Sequence, residues 1–158
     1  MIISRFCEKL DITAMPILRP LPIKTKGKHW WHIVWIWFIS RREWELMEDY
    51  FYIMPDGTVL FVPKGFVFDG ASIPRVFWLL LSPTGLLLIP SLFHDYMYTH
   101  GFIVRALPAE DALHTSPVSR KYADDLFVTV ALAVNGIRFV AWGAWAAVRV
   151  FGKSCFNC

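Results

Sequence analysis

The sequence predicts an α+β protein, an antiparallel β meander at the N-terminal end followed by a helical half. Three observations carry this. Residues 29–74 are dominated by aromatic and β-branched runs bounded by Pro and Gly turn signals. Beyond Pro74 the apolar residues recur at helical intervals, with stops at Gly101 and at Asn135-Gly136. The 158 residues are 56% hydrophobic and only 18% charged, too apolar for a disordered chain and sufficient for one buried core. A single domain over residues 1–158 is expected: an extension at 1–28, a β-rich part at 29–74, a helical part at 75–152 and a tail at 153–158.

Each element has a local reason. Met1 to Asp11 mixes charged and apolar residues without a continuous apolar core, so no signal peptide is expected. Trp31 to Ile39 reads as a strand, and Trp44 to Ile53 as the next. Pro55-Asp56-Gly57 is a turn, because Pro presets φ and Gly accepts positive φ. Thr58 to Val62 returns as its hairpin partner, and Pro63-Lys64-Gly65 launches Phe66 to Phe68. Pro83, Gly85 and Pro90 divide Val76 to Phe93 into a short helix, a turn and a new helix. Ser91 is a candidate N-cap for the helix that carries Phe93, His94, Met97 and Tyr98 and ends at Gly101. Phe102 to Ser119 reads as loop-like, with a short turn around Ala109 to His114. Ser119 then caps a long helix that Asn135-Gly136 breaks in two.

Charge and cysteines exclude several classes. A net charge of +3 with dispersed basic residues falls short of a nucleic-acid footprint, so no nucleic-acid partner is expected. Three cysteines cannot build a disulfide framework, and Cys155-x-x-Cys158 lies in a terminal tail rather than at a helix opening in a βαβ unit. Leu126 to Phe151 is the strongest candidate membrane segment. Asn135, Arg138 and Arg149 interrupt it, and a central Arg costs about 2.5–3.5 kcal/mol on insertion scales. Buried or interfacial helices are preferred there, and a span stays open as the alternative.

Three polar patches carry the chemistry. Asp69-Gly70-Ala71-Ser72 joins a carboxylate to small residues that let a ligand approach the backbone, which suits a cation or an oxyanion. Taken alone, an Asx-type turn is the preferred reading of that loop. His94 and Tyr98 lie one turn apart on one helix face, with Asp95 about a quarter-turn away among apolar neighbours. A buried His-Asp pair must be hydrogen-bonded or bind a metal. Asp124, beside Asp125, shares a face with Phe127 and Ala131. An inward Asp124 near an imidazole would hold its tautomer and support it as a general base.

Two resemblances attach to these residues. The run Val62 to Pro74, then His94-Asp95-x-x-Tyr98, then Ala123-Asp124-x-x-Phe127, resembles an uncharacterised domain family common in bacteriophages and prophages. That resemblance covers most of residues 40–152 and implies a phage or prophage origin without an activity. More remotely, H-D-x-x-Y on one helix and D-x-x-F on a later one is similar to secreted phospholipase A2 enzymes. This implies His94 as the base that activates water, Asp95 as a calcium ligand, and Tyr98 and Asp124 as supports for His94. Asp69 and the loop residues Gly70, Ala71 and Ser72 would supply further oxygens to calcium. The cysteines that flank the motif in those enzymes are replaced here by Ser91, Met97 and Ala123.

Three functions follow as expectations. The first is a calcium-assisted hydrolase of phospholipid type, acting at a lipid or membrane surface. A phosphohydrolase variant would add His29 or His32 to the metal site and ranks below it. The second is a non-enzymatic virion or host-interaction protein whose polar residues form a buried structural network. The third is a membrane-associated phage accessory protein. The corresponding locations are the infected cell, in its cytoplasm or at its inner membrane, and the virion.

Overall fold

The computed structural model describes residues 15–22, 29–31, 43–68, 87–107 and 112–151. Over these the fold is α+β, as the sequence predicts, with antiparallel sheet first and three helices in the C-terminal half. Strands β1 (Leu18–Pro20), β2 (Trp44–Leu46) and β5 (Val67–Phe68) form one small sheet in the order β1-β2-β5. Strands β3 (Tyr50–Ile53), β4 (Val59–Val62), β6 (Phe102–Leu107) and β7 (Ala112–Pro117) form a second, in the order β3-β4-β6-β7.

The hairpin at Pro55-Asp56-Gly57 forms for the reasons that predict it. Gly57 has a φ of 83°, its N–H donates to the Met54 carbonyl at 2.9 Å, and the Thr58 N–H donates to Asp56 Oδ1 at 2.9 Å. The strands on either side then pair with Tyr50 opposite Val62 and Ile53 opposite Val59.

Four sequence expectations are corrected. Trp44 to Ile53 is two strands in different sheets, because the chain leaves the first sheet after Leu46 and enters the second at Tyr50. Trp30 and Trp31 are helical where a strand was expected, and the rest of that aromatic run lies outside the described residues. Phe102 to Ser119 is a β-hairpin rather than a loop. Ile103, Val104 and Ala106 are buried, and β6 gains a ladder with β4, so a partner distant in sequence decides its state. Strand therefore continues into the part expected to be helical. Finally, Ser91 does not cap the helix that holds His94. That helix, α1 (Leu88–His100), starts a turn earlier from Leu87 without a side-chain cap. Pro90 falls in its first turn, where the missing N–H would have had no intrahelical partner.

Other helix ends follow the sequence signals. Gly101, with φ of 71°, closes α1 by donating its N–H to the Met97 carbonyl at 2.8 Å. Ser119 caps α2 (Arg120–Asn135) by accepting from the Tyr122 N–H at 3.2 Å. Gly136 ends α2 in the left-handed conformation, and α3 (Arg138–Phe151) begins two residues later. The apolar segment 126–151 is thus two helices. Among the described residues no helix is long and apolar enough to cross a membrane.

Ten of the thirteen α1 residues are buried, the pattern of a helix enclosed on several sides. Leu92, Phe93, Tyr96 and Met97 share one apolar cluster with Leu46, Tyr50, Tyr52, Leu60, Val62 and Ile103 of the sheets. A second cluster joins α2 to α3 through Phe127, Val128, Ala131, Val140, Ala141 and Ala144. The candidate site lies where α1 meets α2.

Candidate functional site

Helical spacing sets His94 and Tyr98 one turn apart on α1, with ring centroids 4.0 Å apart. Across from them α2 presents Asp124, one turn inside the helix that Ser119 caps. Asp124 is 0% exposed, so every lone pair it keeps charged must find a partner inside the protein.

The partners are there. His94 Nε2 lies 3.1 Å from Asp124 Oδ1, and the Tyr98 hydroxyl donates to the same oxygen at 2.6 Å. Arg149, reaching in from α3, donates Nη1 to Oδ2 at 2.8 Å. Arg120 stands 3.9 Å from Oδ2 and donates Nε to the Tyr98 hydroxyl at 3.1 Å. Phe127, one turn beyond Asp124, packs edge-on against the His94 ring at 5.4 Å between centroids and walls off that side.

These contacts fix the charge states. Burial would raise the Asp124 pKa, but the hydrogen bonds from His94, Tyr98 and Arg149 outweigh it and bring the carboxyl down to about 2. Burial would likewise lower the His94 pKa. The hydrogen bond to Asp124 and the neighbouring Asp95 carboxylate reverse that, and the net shift is upward. Burial, then the bond to Asp124, push the Tyr98 hydroxyl up to about 12, so it remains a donor.

An ionised carboxylate can only accept, so His94 must donate its Nε2 proton to Asp124. In the neutral ring this leaves the lone pair on Nδ1. Nδ1 faces Asp95 Oδ1 at 3.6 Å, a charge contact too long for a direct hydrogen bond. Asp95 is the partly exposed member of the pair, with 23% of its side chain accessible against 7% for His94.

The structure therefore brings together four of the eight residues singled out in the sequence, namely His94, Asp95, Tyr98 and Asp124. Asp69, Gly70, Ala71 and Ser72 lie outside the described residues. Among the described residues no three His, Cys, Asp or Glu side chains converge as a metal site. Asp95 offers a single carboxylate where calcium takes about six to eight oxygens. His29 is exposed and stacks on Trp31, whereas His32 is also outside the described residues.

Two residues of the network were not anticipated, and each had a signal. Arg149 stands in the otherwise apolar run Trp145 to Phe151, where a charge needs a partner. Arg120 opens α2, the end at which the helix dipole disfavours a cation. Its other contacts explain it. Arg120 Nη2 donates to the carbonyls of Val148, at 3.5 Å, and Arg149, in the last turn of α3, so the cation meets the end of a helix dipole that favours it.

A family model described as "Protein of unknown function (DUF1353)" matches residues 44–148, a span that includes His94, Asp95, Tyr98, Arg120 and Asp124. No curated protein and no solved structure gives a significant match.

Proposed function

The chain belongs to the DUF1353 family, whose description carries no function, and from that premise we propose a hydrolase in which His94 activates water, with a phospholipid-type ester as substrate. One observation carries the reading: the completely buried carboxylate of Asp124 is bonded to Nε2 of an imidazole whose Nδ1 faces a partly exposed acid. That geometry suits a general base. Nδ1 takes a proton from water as the water oxygen attacks the ester carbonyl. The imidazolium then formed lies between Asp124 and Asp95, which stabilise its charge. The same Nδ1–H next protonates the departing alkoxide, restoring the neutral ring. Tyr98 keeps Asp124 oriented throughout by donating to the oxygen that His94 uses.

Calcium is a further proposal at this site, resting on Asp95 and on the resemblance of His94-Asp95-x-x-Tyr98 to the phospholipase A2 motif. Asp95 alone does not make a calcium site. The phage and prophage resemblance supports action at the host envelope or in the virion.

The test is fatty-acid release from phospholipid vesicles, with and without added calcium. Wild type is expected to release product, and His94→Ala to lose about 10²–10⁴-fold in rate. If calcium assists, Asp95→Asn removes its effect. Equal rates in wild type and His94→Ala would reject His94 as the base, and no release from any ester would reject the hydrolase.

A second reading is favoured by the Arg120 contacts. The same network ties the start of α2 to the end of α3, as a purely structural polar junction would. It predicts that His94→Gln lowers stability without any activity being lost, because there is none to lose.

A further inference from the structure

One face of α3 is packed and the opposite face is not. Val140, Ala141 and Ala144 are buried against α2, while Phe139, Trp142 and Val150 are 79%, 51% and 68% exposed. Gly143 and Ala146 are exposed as well, and a Cβ built on Gly143 meets nothing within 4 Å. Positions 139, 142, 143, 146 and 150 follow helical spacing, so they form one continuous apolar stripe along the outside of the helix. Scattered apolar side chains need no explanation, but a contiguous stripe headed by Phe and Trp marks a docking face.

We propose that this stripe docks α3 flat onto an anionic phospholipid surface. Over the described residues the helix is too short to span: fourteen residues reach about 21 Å against the roughly 30 Å of a bilayer core. An amphipathic helix of this kind lies in the interface plane, with Trp and Phe at headgroup depth. Charge selects the occupant. Residues 126–158 contain Arg138, Arg149 and Lys153 and no Asp or Glu; Arg149 is answered by Asp124, which leaves Arg138 as the exposed cation of the described helix and Lys153 as a second cation in the sequence beyond it. Arg138 is exposed one helical turn from Trp142, at the margin of the stripe. Such a margin meets phosphate headgroups favourably. A second copy of the chain stacked stripe to stripe would bring Arg138 with it and offer no carboxylate from residues 126–158 to answer it. Docking does not depend on hydrolysis, although it would supply the lipid surface that the hydrolase reading needs.

The test is cosedimentation of the full chain with vesicles, either pure phosphatidylcholine or containing about one-third phosphatidylglycerol. Stronger binding to the anionic vesicles, weakening as salt rises, is expected. Phe139→Ser combined with Trp142→Ser should lower that binding about tenfold or more, with the melting temperature preserved. Leu113→Ser, at an exposed apolar position on β7, should bind as wild type does. His94→Ala should also bind normally, which separates docking from catalysis. Equal binding by wild type and the double variant would overturn the proposal. So would a dimer that the double variant dissociates and that shows no vesicle binding, since that result assigns the stripe to a second copy.

Discussion

On its sheet side, α1 packs Phe93 against Tyr50 and Tyr52, with ring centroids 6.0 and 6.1 Å apart, and sets Tyr96 edge-on to Phe66 and Phe102. On its α2 side the same helix offers His94 and Tyr98 to a carboxylate with no exposure at all. Both sides are buried, but they are held by different physics. The aromatic side gains from area and dispersion, which depend little on direction or pH. The polar side is favourable only while each partner is present in the right protonation state. A helix needing only to be buried would be served by apolar residues on both sides, and commonly at no loss of stability. A His, a Tyr, an Asp and two Arg at the second interface therefore set this junction apart from the aromatic one.

Substitutions on the two sides should separate these contributions. Asp124→Ala has one of the two largest expected effects, about 3–5 kcal/mol in denaturant unfolding, because it strands a buried imidazole and a phenol and frees Arg149. Phe93→Ala on the sheet side should cost a similar amount, about 3–5 kcal/mol, by leaving a cavity. The contrast lies in how the two losses respond to conditions: the Asp124→Ala loss should vary with pH and the Phe93→Ala loss should not. A loss from Phe93→Ala that tracks pH would break the comparison. A smaller effect, about 1 kcal/mol, is expected for Ser119→Ala, which removes the cap from the helix that presents Asp124. Thermal unfolding resolves a change of that size.

What could be read from the sequence was what is decided locally. The Pro55-Asp56-Gly57 turn, the Gly101 and Gly136 stops and the Ser119 cap depend on a few adjacent residues, and all form. His94, Tyr98 and Asp124 were legible because helical spacing alone puts the first two on one face and an apolar sequence turns the third inward. The β6–β7 hairpin was missed because its ladder with β4 joins segments separated by the whole of α1. The Leu88 start of α1 was missed because Pro90 resembles a break unless its place in the first turn is known. Arg120 and Arg149 were legible only as local conflicts, a cation at the wrong helix end and a charge in an apolar run. Their resolution is tertiary.

The junction also predicts a pH profile. Asp124 is held at about 2, below its ordinary 3.8, so its contribution to stability is present above about pH 4 and is lost as pH falls toward 2. His94 is shifted upward from 6.5, so its contribution is complete below 6.5 and is lost as pH rises through its folded value. Base catalysis needs the neutral ring, so hydrolysis should increase with pH across the same interval in which this stabilisation declines. The most direct measurement is an NMR titration of the His94 ring nitrogens in wild type and Asp124→Asn. The expected result is a His94 pKa above 6.5 in wild type, a neutral ring protonated on Nε2, and a lower pKa in the variant. A wild-type pKa below 6.5 with the neutral-ring proton on Nδ1 would contradict the His94–Asp124 pairing on which the proposed chemistry stands.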